Sequence, residues 1–138
     1  MGIDIIKTMA HDGTAPFEEY IGKADKVICD VPCSGFGVIH KKPDIRHKLP
    51  NDIARLPDVQ YAILTAASKY LKVGGRLLYS TCTLNKSEND DITAKFLSEN
   101  PCFRRVSGEA EGCTLFPAVM DGIILNDGFF TDILERAE

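Results

Sequence analysis

Two cysteines of the chain follow apolar segments that end in polar residues. Cys33 closes the sequence Asp30-Val31-Pro32-Cys33, and Cys82 closes Ser80-Thr81-Cys82. A cysteine is a nucleophile only as a thiolate, and a helix N-terminus or a nearby cation lowers its pKa from about 8.5. The two cysteines are therefore candidate nucleophiles. Their spacing alone fits equally well with two small buried side chains.

The two cysteines are predicted to lie at the same edge of a sheet. The apolar runs over residues 26–31 and 76–81 predict two buried parallel strands. Ligands of open α/β sheets lie beyond the carboxyl ends of the strands. If these strands are neighbours, Asp30 and both thiols face one cleft. Gly35 and Gly37 follow Cys33, and we expect their small size to leave room for a flat ligand.

The rest of the chain alternates strands with helices. An apolar face with spacings of three and four residues predicts a helix over 51–71, with a possible kink or restart at Pro57 and a stop at Gly74-Gly75. The next helix is predicted to begin with a Ser87 cap and to end at Pro101. An α/β sheet with crossovers and an antiparallel carboxyl-terminal pair is the predicted fold. The further predicted elements are a strand over 3–6, a brief helix over 17–21, a strand over 103–106, mostly loop over 107–126, and a strand over 128–135.

Composition predicts a single globular domain. The chain has 138 residues, of which 44% are hydrophobic and 26% charged, and its net charge is −4. That charge gives no overall attraction to nucleic acid or to an anionic membrane, and no apolar run is long enough for a membrane span. A local patch over 39–48 is basic nonetheless: Lys41, Lys42, Arg46 and Lys48 stand against Asp44. This patch is either a solvated loop or a contact for RNA phosphates.

Cysteine usage predicts a reducing compartment. The chain has five cysteines, an odd number, and no signal peptide is recognisable, so a disulfide framework is not expected and the cytoplasm is the predicted location. Cys29 and Cys33 lack a second close Cys/His pair, so no metal site is predicted. A thiol redox or metal protein built on these two residues remains a third alternative.

Three segments resemble a known family. The segments "DVPCSGFGVIHKKPDIR", "YSTCTLNKSEN" and "DGFF" resemble the signatures of RNA cytosine-C5 methyltransferases, most closely the bacterial Sun/Fmu-type enzymes that methylate small-subunit ribosomal RNA. The resemblance covers essentially the whole chain. It implies a Rossmann-like α/β fold that uses S-adenosyl-L-methionine, with a mostly parallel sheet and an antiparallel carboxyl-terminal strand.

The resemblance also implies roles for individual residues. Cys82 would attack carbon-6 of a flipped-out cytosine, and Cys33 would help to remove the carbon-5 proton and release the product. Asp30 would hydrogen-bond the cytosine edge. Asp12, Asp30 and Pro32 would contact the cofactor. In the DNA cytosine-C5 methyltransferases the Pro-Cys thiol is the nucleophile instead, and the presence of Cys82 favours the RNA type.

The resemblance implies that the basic patch contacts the RNA substrate. Lys41, Lys42 and Arg46 would meet phosphates beside the reactive thiols. The expected partner is small-subunit ribosomal RNA, and no membrane contact is expected.

A glycine-rich cofactor loop and a ribose-binding carboxylate are missing from the sequence. Residues 1–138 are therefore predicted to be the carboxyl-terminal part of a catalytic domain, with the amino-terminal strands of the sheet absent. The strand over 26–31 would be left as an open edge, which either pairs with the first strand or is covered by a second copy in a homodimer. The alternative function is a catalytically silent RNA-binding or assembly module.

Overall fold

The computed structural model describes residues 4–106 and 111–138. Within these ranges the helices are α1 (Pro50–Ala54), α2 (Leu56–Ser68) and α3 (Asp90–Glu99). The strands are β1 (Ala24–Asp30), β2 (Leu71–Thr81), β3 (Phe103–Arg105), β4 (Cys113–Leu115), β5 (Val119–Met120), β6 (Ile123–Ile124) and β7 (Phe129–Arg136). Short 3₁₀ turns cover Glu18–Tyr20, Phe36–Val38, Pro43–His47 and Lys86–Glu88.

The main sheet places β1 beside β2, β7 beside β2, and β3 on the far side of β7, while β4 also pairs with β7. β1 and β2 are parallel, and Asp30 lies opposite Ser80. β7 runs antiparallel to β2, β3 and β4. The predicted α/β class is thus confirmed, as is the antiparallel carboxyl-terminal strand. The sheet is mixed rather than mostly parallel, because three of its four pairings among the described residues involve the reversed strand β7.

One face of the sheet carries the core. The alternation of side chains along a strand sends Leu77 and Tyr79 of β2 to the same face as Phe130 and Leu134 of β7, and all four are fully buried. Helices α2 and α3 close this face. Their contributions include Leu64 and Phe96. The Phe96 ring packs edge-on against Phe103 of β3, with the ring centroids 5.1 Å apart.

The opposite face of the sheet is open among the described residues. Ile28 of β1, Leu78 of β2 and Ile133 of β7 stand side by side there, and Ile28 is 76% exposed. The prediction that residues 26–31 form a strand buried on both faces is therefore wrong. Helices α2 and α3 cover only the side that carries Val27 and Cys29, which leaves the other side to solvent.

The amino-terminal strand predicted over 3–6 is absent from residues 4–6, and Ile3 lies outside the described residues. Ile5 and Ile6 are exposed. The first described strand is β1, which pairs with β2 alone, so the predicted re-pairing of two strands does not occur within the described residues. A strand needs a hydrogen-bonded neighbour, and residues 4–6 have none.

The helix predicted over 51–71 is broken into α1 and α2. Pro57 lies in the first turn of α2, where its missing N–H costs nothing, so the predicted alternative of a helix restart at Pro57 is confirmed. The predicted stop at Gly74-Gly75 is wrong. The helix ends at Ser68, and β2 already begins at Leu71 and runs through both glycines.

The carboxyl-terminal half follows the prediction with two changes. The predicted Ser87 cap is wrong: α3 begins at Asp90 with Asn89 at its N-cap position, and Ser87 lies in the preceding 3₁₀ turn, which is capped by the side-chain oxygen of Asn85 accepting from the Ser87 backbone N–H. The segment predicted as mostly loop contains β4 and the β5–β6 hairpin. Residues 107–110 of that segment lie outside the described residues.

Candidate active site

Cys33 and Cys82 meet at one edge of the sheet. β1 and β2 are in parallel register up to the pair Asp30 and Ser80, and each chain segment then turns out of the sheet with its cysteine. The two sulfur atoms are 3.2 Å apart. The expectation that both thiols face the same place if the strands are neighbours is confirmed. Both side chains are half-buried.

The glycines after Cys33 serve backbone packing. A Cβ atom on Gly37 would lie 2.1 Å from the Gly128 carbonyl oxygen, and the Gly37 N–H donates to the Cys82 carbonyl at 3.0 Å. Gly35 has φ +80°, and a Cβ there would lie 2.9 Å from the Ile45 side chain. The expectation that these glycines leave room for a flat ligand is therefore wrong. They allow three backbone segments to approach one another.

A residue with a hydroxyl group follows each cysteine, and the two hydroxyl groups bond to each other. Ser34 Oγ lies 2.7 Å from Thr83 Oγ1, and both side chains are fully buried. The backbone N–H of Ser34 donates to Glu88 Oε2 at 2.8 Å. The turn that carries Cys33 is thus tied to the segment that follows Cys82.

Glu88 is a fully buried carboxylate between the two cysteine turns. Besides Ser34, the Gln60 side-chain amide donates to Glu88 Oε2 at 3.0 Å and to the Pro32 carbonyl at 2.9 Å. Asn85 Nδ2 donates to Glu88 Oε1 at 2.9 Å. The carboxylate therefore receives three N–H donors, which a buried carboxylate needs because it can only accept hydrogen bonds.

The Cys82 side of the site is fixed by Asn89 and Tyr79. Asn89 Nδ2 donates to the Thr83 carbonyl at 3.0 Å, and its Oδ1 accepts from Thr81 Oγ1 at 2.6 Å. The Tyr79 hydroxyl donates to the Glu88 carbonyl at 2.7 Å. All of these side chains are buried, so the geometry of the thiols depends on hydrogen bonds that water does not weaken.

The surroundings of Cys33 disfavour its ionisation. Burial, followed by the hydrogen bond and the charge of Cys82, raises the pKa of Cys33 to about 12. Cys33 therefore keeps its proton at neutral pH. Cys29, which points into the core, also has its pKa raised to about 12, first by burial and then by the charge of Asp30. Cys29 is thus an inert core thiol, as predicted for a cysteine inside an apolar run.

The predicted carboxylates Asp12 and Asp30 and the predicted Pro32 are all exposed. Asp30 is exposed and accepts from Ser80 Oγ at 3.0 Å. Pro32 is exposed beside it. Asp12 is exposed and accepts from the backbone N–H of Thr14 at 2.9 Å and from its hydroxyl at 2.7 Å. These two bonds lower the pKa of Asp12.

The basic patch is exposed, and its members differ in their partners. Lys41 donates to Asp127 Oδ2 at 2.9 Å, and His40 lies 3.1 Å from the other oxygen of the same carboxylate. Lys42 and Arg46 are exposed and have no ion pair within the described part of the chain. Lys48 turns inward instead: its ammonium donates to the carbonyls of Ser34 at 2.8 Å and Cys33 at 3.2 Å.

Sequence reasoning missed Glu88, Gln60, Lys48 and the pair Ser34 and Thr83. Glu88 directly follows the predicted Ser87 cap, and a carboxylate in the first turn of a helix is ordinary in a sequence. Gln60 stands on an otherwise ordinary amphipathic helix. The one signal that could have been used is the repeated pattern of cysteine followed by a hydroxyl-bearing residue in "PCS" and "TCT".

Neither a membrane helix nor a metal cluster occurs within residues 4–106 and 111–138. No helix of these ranges is long and apolar enough to cross a membrane. No three or more of their His, Cys, Asp or Glu side chains are arranged to hold a metal ion.

The fold is that of solved methyltransferase structures. The crystal structure of PH0851 superposes with a TM-score of 0.79 at 33% sequence identity, covering 97% of this chain and 32% of that one. NSun6 from Pyrococcus horikoshii, solved with SFG, gives a TM-score of 0.68 at 25% identity, covering 99% and 36% of the two chains. The chain is thus part of a methyltransferase-type α/β fold.

The family follows from the sequence comparison. Residues 1–120 match the family model of the 16S rRNA methyltransferases RsmB/F, and the chain belongs to that family. The probable ribosomal RNA small subunit methyltransferase B of Bacillus subtilis (strain 168) is 41% identical over 105 residues, 75% of this chain and 24% of the relative. The tRNA (cytosine(34)-C(5))-methyltransferase of Drosophila melanogaster is 45% identical over 78 residues, 56% of this chain and 10% of the relative.

The matches cover only part of each relative. The chain spans 24% of the Bacillus subtilis protein and 32% of PH0851. Both cysteine turns and the basic patch lie inside the residues matched by the family model.

Proposed function

We propose that this chain is the cytosine-reacting part of an RNA (cytosine-C5) methyltransferase that acts on small-subunit ribosomal RNA in the cytoplasm, as the carboxyl-terminal part of a longer catalytic domain. The observation that carries the proposal is the pair of sulfur atoms 3.2 Å apart at the ends of two parallel neighbouring strands. Two thiols at one point suit a reaction in which one forms a covalent bond and the other handles a proton.

Cys82 is the nucleophile in this proposal. Its thiolate attacks carbon-6 of the cytosine, a carbon–sulfur bond forms, and the electron pair of the 5,6 double bond moves to carbon-5. Carbon-5 then takes the methyl group. The raised pKa of Cys33 supports this assignment, because Cys33 stays protonated and can donate a hydrogen bond to the Cys82 thiolate.

Cys33 helps to complete the reaction. Once the Cys82 sulfur is bonded to carbon it no longer carries a charge, so the part of the Cys33 pKa rise that comes from Cys82 is removed. Cys33 then gives up its proton more readily and assists removal of the carbon-5 proton. Loss of that proton restores the double bond, and the bond between sulfur and carbon-6 breaks. Asp30, exposed at the end of β1, accepts hydrogen bonds from the cytosine edge.

S-adenosyl-L-methionine supplies the electrophilic methyl group when it is bound. The described residues fit part of this molecule: Asp12 and Asp30 are exposed carboxylates that can accept from its N–H and O–H donors, and Pro32 offers an apolar surface beside Asp30. SFG, found with NSun6, is an analogue of this cofactor. The chain carries no glycine-rich loop after a strand, so we expect weak or no cofactor binding by the isolated chain.

The basic patch holds the RNA beside the thiols. Lys41, Lys42 and Arg46 are exposed on the loop that follows Cys33, and exposed cations supply contacts to phosphates without reading sequence. Names of the relatives support a ribosomal RNA substrate and a cytosine-C5 product.

A trapping experiment tests the proposal. The longer enzyme that contains this chain is incubated with S-adenosyl-L-methionine and RNA containing 5-fluorocytosine, whose fluorine cannot leave as a proton does, so the covalent adduct accumulates. We expect an adduct at Cys82 by mass spectrometry and none in Cys82→Ser. Cys113→Ser is the matched control, because Cys113 is exposed on β4 and should not matter. An adduct that survives in Cys82→Ser and disappears in Cys33→Ser would reverse the two roles.

A second candidate function is an assembly module that is catalytically silent, and the open edge of β1 favours it. The Val31 N–H donates to the Ser80 carbonyl of β2. Because the backbone groups of alternate residues point the same way, those of Lys26, Ile28 and Asp30 point to the free edge of β1. An antiparallel second copy with Ile28 opposite Ile28 would place each Lys26 opposite an Asp30. Opposite charges across a strand pair favour that register.

Sedimentation of the 138-residue chain tests the homodimer. We expect a dimer for the natural chain, a monomer for Lys26→Asp, and recovery of the dimer in Lys26→Asp/Asp30→Lys, which restores opposite charges. Lys23→Asp is the control, since Lys23 precedes β1. A chain that sediments as a monomer at every concentration rules out this assembly.

A further inference from the structure

We propose that Glu88 is a positioning residue that holds the two cysteine turns in reactive register. This inference rests on the proposed function for its catalytic meaning, and on the described contacts for its geometry. Glu88 is fully buried and lies between the turn of Cys33 and the turn of Cys82. It touches neither sulfur, so its effect passes through Ser34, Gln60 and Asn85, which together with Glu88 we call the carboxylate clamp.

One side of the clamp holds the turn of Cys33. Glu88 Oε2 accepts from the Ser34 N–H at 2.8 Å and from Gln60 Nε2 at 3.0 Å. The same Gln60 nitrogen donates to the Pro32 carbonyl at 2.9 Å. The residues before and after Cys33 are therefore both tied to one carboxylate oxygen, which leaves the Cys33 side chain little freedom to move.

The other side of the clamp holds the segment after Cys82. Glu88 Oε1 accepts from Asn85 Nδ2 at 2.9 Å. The opposite end of the Asn85 amide is also used: its Oδ1 accepts from the Ser87 N–H at 3.2 Å and from the Ser87 hydroxyl at 2.9 Å. Asn85 thus has one orientation in which all of these bonds are made, and rotating its amide group would break them.

These contacts require a carboxylate at position 88. All three partners of the Glu88 side chain are N–H donors, and a carboxylate presents acceptors on both oxygens, whereas a Gln side chain presents one acceptor and one donor. In Glu88→Gln one face of the amide must oppose a donor. If the oxygen stays with Ser34 and Gln60, the new NH₂ group faces the NH₂ group of Asn85.

A paired substitution can restore the clamp. In Glu88→Gln/Asn85→Asp the NH₂ group introduced at position 88 donates to one oxygen of the carboxylate introduced at position 85, and the other oxygen of that carboxylate still accepts from Ser87. The total charge of the site is unchanged. Asn85→Asp alone should disturb the clamp as much as Glu88→Gln does, because it places two carboxylates against each other in a buried position. Each single change is thus harmful, and the double change compensates.

The first measurement reports the proximity of the Cys33 and Cys82 thiols and does not depend on methyl transfer. Dibromobimane becomes fluorescent when it bridges two thiols, and it is applied to the 138-residue chain in a Cys102→Ser/Cys113→Ser background, with Cys33→Ser as the zero point. We expect the rate of bridging Cys33 to Cys82 to fall by about tenfold or more in each single variant and to return to within about twofold in the double variant, since proximity sets the rate of such a reaction.

The second measurement reads the reaction in the longer enzyme. We expect the rate of the 5-fluorocytosine adduct and kcat to fall by about 100-fold in Glu88→Gln, the size expected for misplaced reacting groups, with the KM for RNA unchanged. The double variant recovers most of this activity. Glu19→Gln is the matched control, because Glu19 is an exposed carboxylate in the 3₁₀ turn Glu18–Tyr20 and is not one of the residues of the clamp.

The outcomes separate the clamp from the proposed function. If the natural chain bridges its thiols but the enzyme forms no adduct, the proposed function fails and the bridging series still tests the clamp. Circular dichroism shows whether Glu88→Gln folds. If it does not fold, the rate of thiol bridging in the double variant Glu88→Gln/Asn85→Asp tests the clamp instead. The clamp is overturned if a folded Glu88→Gln bridges its thiols at the natural rate, or if the double variant shows the summed losses of the two single variants.

Discussion

The turn of Cys33 and the basic patch are consecutive in the chain but are held in opposite ways. Ser34 and Glu88, which fix the turns, are fully buried, and their hydrogen bonds act in a low dielectric where each is strong. Lys42 and Arg46 are exposed and have no ion pair among the described residues. The two thiols are thus fixed by desolvated bonds, while in the proposed function the attraction for RNA is left to exposed charges that salt screens.

The largest expected effect concerns the ionisation of Cys33. Because burial and Cys82 raise its pKa to about 12, the rate at which iodoacetamide alkylates Cys33 should rise about tenfold for each pH unit up to about pH 11, since only the thiolate reacts. Free cysteine, whose pKa is about 8.5, should level off well before that. Mass spectrometry of the alkylated peptide measures the rate.

The same experiment has a variant arm. Cys82→Ser removes a charge that raises the pKa of Cys33, so alkylation of Cys33 at a fixed pH should be faster than in the natural chain. Burial, the larger cause, remains, so Cys33 should still react more slowly than free cysteine. If the alkylation rate of Cys33 instead levels off near the ordinary thiol pKa of about 8.5, the claim that the turn of Cys33 is desolvated, unlike the basic patch, is contradicted.

The next effect concerns the hydroxyl pair between the turns. Thr83→Val leaves the buried Ser34 hydroxyl without its 2.7 Å partner, and should lower the free energy of unfolding by about 1 to 3 kcal/mol. Ser34→Ala/Thr83→Val removes both partners and should cost less than the two single changes together. Urea unfolding measures both. Equal and additive costs would mean that the two hydroxyls act independently.

A smaller effect is expected when a cation of the basic patch is removed. Lys42→Ala or Arg46→Ala should weaken RNA binding and make the slope of log affinity against log salt shallower by about 0.7 to 0.9 for each phosphate that is no longer neutralised. Asp127→Asn should act in the other direction, because it releases Lys41 from its 2.9 Å ion pair. Filter binding at several salt concentrations measures the slopes, and an unchanged slope in Lys42→Ala excludes a phosphate partner for that lysine.

The smallest effect is expected for stability at the exposed patch. Lys41→Ala removes an ion pair whose lysine side chain is 63% exposed, and should change the free energy of unfolding by at most about 1 kcal/mol. Thermal unfolding measures this change. A destabilisation as large as that of Thr83→Val would show that the patch is structural.

Much of the fold could be predicted from the sequence. β1, β2, β3 and β7 lie close to the predicted ranges because their apolar runs are bounded by Pro, Gly or polar residues. The prediction of a strand over 3–6 was wrong, because apolar residues form a strand only where a neighbouring strand accepts and donates their backbone hydrogen bonds. The break at Pro57 could be predicted because proline has no N–H to donate within a helix, whereas the helix end near Gly74-Gly75 was wrong, because β2 begins at Leu71 and runs through both glycines.

The candidate site could be predicted in its reactive atoms but not in its support. Cys33 and Cys82 stand out because each follows a strand and a turn. Glu88 does not, because a carboxylate early in a helix is an ordinary surface residue by every local rule. Only its burial between the two turns gives it a role, and its bond to Ser34 joins residues 54 positions apart in the chain.

The sequence by itself determined the family, the strands β1, β2, β3 and β7 and the two cysteines, because these depend on local patterns and short motifs. The tertiary structure alone decided that the two sulfurs lie 3.2 Å apart, that Cys33 keeps its proton, and that a buried carboxylate ties their turns together. The physical reason is that distance, desolvation and hydrogen-bond partners arise between segments remote in the chain, where no local pattern records them.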